Sequence, residues 1–340
     1  MDQQWMTPTG QGTDVVAGID PGRPPRSGRA FRLILVAFGL IWLINAGFQV
    51  SAWLWPPDGG DSAALLRVFT KATAAAPGWL RPLLLGITAL ARGIGPQWIA
   101  LAMVAIALLL ALSLIFRIGV ASACWLGIAY SLACWVALCA LGYPYAAGGT
   151  DPGVFPAYAI AFVFVLSVLP TIFFSAPAGA ETAGPRAALW TTGRLLFGLL
   201  WAFDAALKFT PYFLTHFVDQ LTASANGQPA WITAYIGLVI VIVQAVGPVL
   251  VAIVVALVET AVAISLLTGR WLIVSVPFGF VYSLAVWASA EGFGGPYSRA
   301  GTGVRGNVLG NVLIYAVIFL FLLVPLAPDV GRARNGRPAG

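Results

Sequence analysis

The chain has 340 residues, 60% of them hydrophobic and only 9% charged, with a mean hydropathy of +0.90. So little charge excludes a water-soluble domain, and the net charge of +6 is explained below by orientation in a membrane, without a nucleic-acid partner. Neither a disulfide framework nor a dedicated metal site is expected. Cys124, Cys134 and Cys139 fall on one expected helix, the last two about 8 Å apart along it. One histidine, no CxxC pair and no haem, flavin or iron–sulfur motif accompany them.

Residues 1–30 are polar and rich in Gly and Pro, with Arg23, Arg26 and Arg29. They read as a disordered cytoplasmic tail, too long for a cleaved signal peptide. Eight apolar runs follow, at about 32–55, 95–116, 118–142, 154–175, 190–210, 246–268, 270–290 and 308–327. Each approaches the roughly 20 residues that span a bilayer as a helix. The strand-like alternation of a barrel is absent. The expected class is therefore all-α, a polytopic membrane protein with eight transmembrane helices. The connections 56–94 and 211–245 contain aromatic and apolar residues and read as interfacial or re-entrant helices. With the N-terminus inside, eleven of the 18 Lys and Arg residues fall on the inner side, Arg117 and Arg270 among them in tight turns, which places both termini in the cytoplasm.

The sequence repeats itself. Tyr130-Ser131-Leu132-Ala133 recurs as Tyr282-Ser283-Leu284-Ala285, Trp135 as Trp287, Gly142 as Gly294 and Pro144-Tyr145 as Pro296-Tyr297, all at an offset of 152. Gly95-Pro96 recurs as Gly247-Pro248 at the same offset, and Phe38-Gly39-Leu40 with Trp42 recur as Phe197-Gly198-Leu199 with Trp201 at 159. An offset held this long indicates duplication. The organisation is a first four-helix repeat over 31–175, a linker at 176–189, a second repeat over 190–328 and a tail at 329–340. An even helix number makes the two repeats parallel.

The duplication acts as an internal control. Asp204 stands where the first copy has Asn45, Lys208 where it has Gln49, Glu259 where it has Ala107 and Glu291 where it has Cys139. Charges in a membrane helix cost about 3 kcal/mol each on insertion scales, so four in one copy require a reason. Asp204 and Lys208 share a helix face at i, i+4 and can pair. A structural pair holding helices together, a hydrogen bond from Glu259 to a neighbouring helix, and a helix-stop turn at Gly294-Gly295-Pro296-Tyr297 are the bland alternatives. His216 reads as solvated.

The segments RLLFGLLWAFDAALKFTPYF, VETAVAISLLTGR and EGFGGPY, the last followed by Gly301-Thr302-Gly303, resemble the DoxX/DoxD family of membrane proteins, and within it the DoxD-type small subunits of thiosulfate:quinone oxidoreductase. The resemblance covers about 190–325. It implies a plasma-membrane subunit that oxidises thiosulfate to tetrathionate, with quinone as acceptor and a second membrane-associated subunit as partner. It also implies Asp204, Lys208, Glu259 and Glu291 as catalytic residues. Arg194, Gly294, Gly295, Pro296 and Tyr297 match the family's motif as substrate contacts; on charge alone, Arg299 joins them, with Lys208 and Arg299 expected to hold the sulfur anion at the outer face. A non-enzymatic scaffold subunit and a small-solute transporter are the other two functions the sequence admits.

Overall fold

A computed structural model describes residues 28–54, 64–142, 149, 151–173, 183–294 and 309–326. Every described element is helical: α1 (Gly28–Gln49, continued by a π-helical turn to Leu54), α2 (Ala64–Ala75), α3 (Arg81–Ile94), α4 (Pro96–Phe116), α5 (Val120–Cys139), α6 (Val154–Phe173), α7 (Ala183–Lys208), α8 (Pro211–Thr215), α9 (Phe217–Ala225), α10 (Ala230–Val246), α11 (Pro248–Thr268), α12 (Leu272–Ser289) and α13 (Val312–Leu323). Five of them, α1, α4, α5, α11 and α12, are long and apolar enough to cross a membrane. The eight expected apolar runs correspond to α1, α4, α5, α6, α7, α11, α12 and α13. The interposed connections are helical as well, in α2 and α3 and in α8 to α10. Only the linker is revised. Helix α7 begins at Ala183, so residues 183–189 belong to it, with Pro185 in the first turn, where a missing amide hydrogen costs no helical bond. The tails at 1–27 and 327–340 lie outside the described residues.

Two helix pairs dominate each half. Helix α1 packs along α4 as α7 packs along α11, and α5 along α6 as α12 along α13. Glycine sets the closeness of these contacts. A Cβ on Gly39 would lie 2.8 Å from Ile115 and 3.1 Å from the Ala111 carbonyl oxygen, and one on Gly198 would lie 2.9 Å from Leu267. Equivalent indole bonds tie the loop before the last helix of each half: Trp135 Nε1 donates to Pro152 O at 2.8 Å, and Trp287 Nε1 to Leu309 O at 2.6 Å. The turns between the long helices also correspond. Left-handed residues occur at Arg117 and Gly119 in one turn and at Gly269 and Trp271 in the other.

The halves meet through α6, which packs against both α7 and α13. Phe321 there stacks on Phe31 and Phe164, with ring centroids 6.1 and 6.0 Å apart, and Trp190 meets Phe164 edge-on at 5.0 Å. Outward faces carry large exposed apolar residues such as Leu33, Trp125, Leu250 and Ile273, as a lipid-facing surface would.

The sharpest packing constraint is at Gly279, where an added Cβ would fall 2.2 Å from Phe319 Cζ. Phe319 is fully buried against Phe197 and Trp201 and cannot swing aside. Gly279→Ala should destabilise the folded protein by about 1–3 kcal/mol, read as a lower thermal unfolding midpoint in detergent micelles.

Candidate functional site

Asp204 and Lys208 sit one turn apart near the end of α7, and the close approach of α11 brings Glu259 to them. Lys208 Nζ lies 3.1 Å from Asp204 Oδ1 and 2.8 Å from Glu259 Oε2. From α12 the Tyr282 hydroxyl donates to Glu259 Oε1 at 2.9 Å. Asp204 and Glu259 are 4% and 3% exposed, so one ammonium compensates two carboxylates almost wholly removed from solvent. Such a cluster is stable only while both signs are present.

Glu291 follows the end of α12. Its carboxyl oxygens accept the backbone amides of Asn311 at 2.8 Å and Val312 at 3.1 Å, which caps α13 at the end where helix amides have no partner of their own. The Asn311 side chain donates from Nδ2 to Asp151 Oδ1 at 2.9 Å. Asp151 also accepts the Gly153 amide at 2.7 Å. Burial pushes the Glu291 carboxyl up to about 8, against the two amides that favour its charged form, and the nearby charges of Asp151 and Asp204 push the same way.

These groups share one space. A cavity of about 550 Å³ is lined by Asp204, Lys208, Glu259, Glu291 and Asp151, with Trp201, Tyr282 and Tyr315 among them. The rest of its wall is mostly apolar, with six valines and two phenylalanines, and comes from α8 to α13. The corresponding positions in the first half are neutral. Asn45 donates from Nδ2 to Tyr158 OH at 2.5 Å, Gln49 is buried, and Ala107 replaces the deep glutamate. Helix packing of this kind therefore does not require the charges.

All four residues expected to be catalytic come together here. Of the expected substrate contacts only Arg194 and Gly294 are among the described residues, and neither lines the cavity. Arg194 sits near the middle of α7, ten residues or about 15 Å from Asp204 along the helix. It is buried, and its guanidinium donates to the carbonyls of Leu266 and Leu267 (3.4 Å for the latter). Arg194 is thus a clamp on the C-terminus of α11, where a cation meets the negative end of the helix, and not a substrate contact. Lys208 is equally unsuited to hold an anion alone, since its ammonium is already engaged by two carboxylates. Gly294 turns the chain at φ 78° and its carbonyl accepts Gln228 Nε2 at 3.1 Å, outside the cavity wall. Gly295, Pro296, Tyr297 and Arg299 lie outside the described residues. His216 is exposed and stacks on Tyr212. Among the described residues no three His, Cys, Asp or Glu side chains form a metal-binding group.

Three contributors were missed in the sequence. Tyr282 and Trp201 have counterparts, Tyr130 and Trp42, in the first half, so a comparison that looks for differences passes over them. Asp151 belongs to the other half, and only the packing of that half's last loop against α13 brings it in.

No family model matches the chain, and neither a curated protein nor a solved structure does.

Two outcomes follow from this geometry. Lys208→Met leaves two buried carboxylates without a cation and should cost about 3–5 kcal/mol. Adding Asp204→Asn and Glu259→Gln, which copies the neutral character of the first half, should restore most of it in denaturant unfolding. For Glu291 the folded protein retains the proton that the unfolded chain loses near 4.5, so its contribution is full below that pH and disappears as pH rises through about 8. Thermal stability should therefore fall across that window, and Glu291→Gln should flatten the slope.

Proposed function

We propose that the chain is an integral plasma-membrane protein of eight spanning helices, arranged as two parallel four-helix units with both termini in the cytoplasm, and that its second unit is a quinone-linked redox subunit of the DoxX/DoxD kind. The five long apolar helices support the membrane assignment. Helices α6, α7 and α13 supply the remaining spans, and the matched helix pairs and turns of the two halves favour the duplicated arrangement.

The observation that carries the functional reading is the group at Lys208. An ammonium and a phenol stand beside two carboxylates in a mostly apolar cavity at membrane depth. A quinone headgroup asks for this combination: donors toward its carbonyl oxygens, proton-exchanging groups within reach, and apolar walls for the ring. When bound, quinone takes two electrons and two protons and leaves as quinol; the electrons come from two thiosulfate dianions joined by a new S–S bond. In this scheme Lys208 and Tyr282 orient the headgroup. Glu259 and Asp204 pass protons inward from Glu291 and Asp151, nearer the outer surface. Carboxylates outnumber the ammonium in the cavity, so a sulfur dianion is repelled from it and reacts at the outer rim or on a partner subunit. In this reading Arg299, in the segment after Tyr297, makes that contact.

The test is thiosulfate-dependent quinone reduction by the purified protein in proteoliposomes, with and without co-purifying subunits. Glu259→Gln should lower the rate by about 10²- to 10⁴-fold while the unfolding midpoint shows a folded chain. Solute uptake without quinone reduction would put a transporter in its place. A stoichiometric partner with no turnover under any condition would make it a scaffold.

A further inference from the structure

The cavity has two unlike sides. At the end of α12 polar bonds tie the cavity's rim: Ser224 Oγ donates to Ser289 O at 3.3 Å, joining α9 to α12, and Gln228 Nε2 donates to Gly292 O and Gly294 O, each at 3.1 Å. Toward the bundle's flank the wall is made of Val239 and Val243 of α10, Val251 and Val255 of α11 and Val286 of α12. Helix α11 packs chiefly on α7 and α12 chiefly on α13, so these valines bridge elements that make few contacts with each other. The wall also runs into the apolar exterior. Ala285 lines the cavity and is itself exposed, and one turn before it Val281 is 63% exposed. Val251 and Val255 lie four and eight residues beyond Gly247, about 6 and 12 Å below the outer end of α11, within the outer half of a hydrocarbon core about 30 Å thick. Glu259 lies one turn deeper.

We propose that this valine wall is a lateral portal to the bilayer, and that the ligand is an amphiphile whose isoprenoid tail lies among Val243, Val251, Val255 and Val286 while its polar head reaches Lys208 and Glu259. The quinone head and the isoprenoid character of the tail rest on the reading above; the apolar wall and its exposed edge do not. Water-borne access meets hydrogen-bonded helices and a glutamate-capped α13, whereas lateral access parts only apolar side chains, whose contacts are individually weak. A tail leaving through the wall exchanges one apolar surrounding for another, so the portal selects for tail presence more than for tail length.

The experiment compares binding of an isoprenoid-tailed quinone and of its tail-less headgroup analogue to the full chain in nanodiscs, by titration calorimetry. Wild type should bind the tailed form at least about ten-fold more tightly. Val255→Trp should erase that advantage, read as the ratio of tailed to tail-less affinity in a chain whose unfolding midpoint shows it folded. Val251→Phe serves as a milder block should the tryptophan variant not fold. An undiminished tail preference in a folded, blocked variant overturns the portal, as does equal affinity for both forms in wild type. If wild type binds neither quinone, the redox reading falls, and the portal is decided by a phosphatidylcholine with a benzophenone-bearing acyl chain. Crosslinks at Val251–Val255 that Val255→Trp removes uphold it; their absence in wild type overturns it.

Discussion

One ammonium held between two buried carboxylates is the constraint on which the second half of this protein turns. Lys208 contacts Asp204 on its own helix and Glu259 on the next, and Tyr282 completes the shell from a third. None of these groups could stay charged at that depth by itself, because removing an ion from water costs several kcal/mol that only close partners offset. The cluster therefore joins two helices through charge, and a third through the Tyr282 hydrogen bond, where the first half joins its own through neutral contacts. It also leaves the cavity with more acid than base, which is the property that argues for proton exchange and against an anion inside.

The fold provides the setting through small residues. Gly198 lets α7 approach α11 closely enough for Lys208 to reach Glu259, and Gly279 makes room for Phe319 so that α12 can hold Tyr282 above the glutamate. The loops then supply the outer layer. Glu291 caps α13, and the Asn311 side chain reaches Asp151 across the boundary between the halves. The first half is therefore not an inert copy: it contributes an acid to a site built mainly by the second.

Much of this was legible in the sequence. Runs of about twenty apolar residues locate helices well, and the spans expected at 95–116 and 246–268 match α4 and α11 to within two residues. Comparison of the two halves picked out Asp204, Lys208, Glu259 and Glu291, because a costly charge that a sister segment does without is informative. The same comparison is silent about Tyr282 and Trp201, where both halves agree. Arg194 came from the family resemblance and not from this comparison. That residue belongs to a family-like motif, but its partners are the carbonyls of α11, 72 and 73 residues further along the chain, and the motif does not display them. Asp151 was invisible for a related reason, since its role comes from a contact spanning 160 residues.

The most direct test of the central claim is infrared difference spectroscopy of wild type against Glu259→Gln in membranes. If Lys208 and Tyr282 hold Glu259 as an ion, the substitution removes intensity from the carboxylate stretching band. The same loss should be missing when Lys208 has already been replaced by Met. Loss of intensity instead from the protonated-carboxyl carbonyl band, unchanged by the replacement at Lys208, would show that no such ion pair exists.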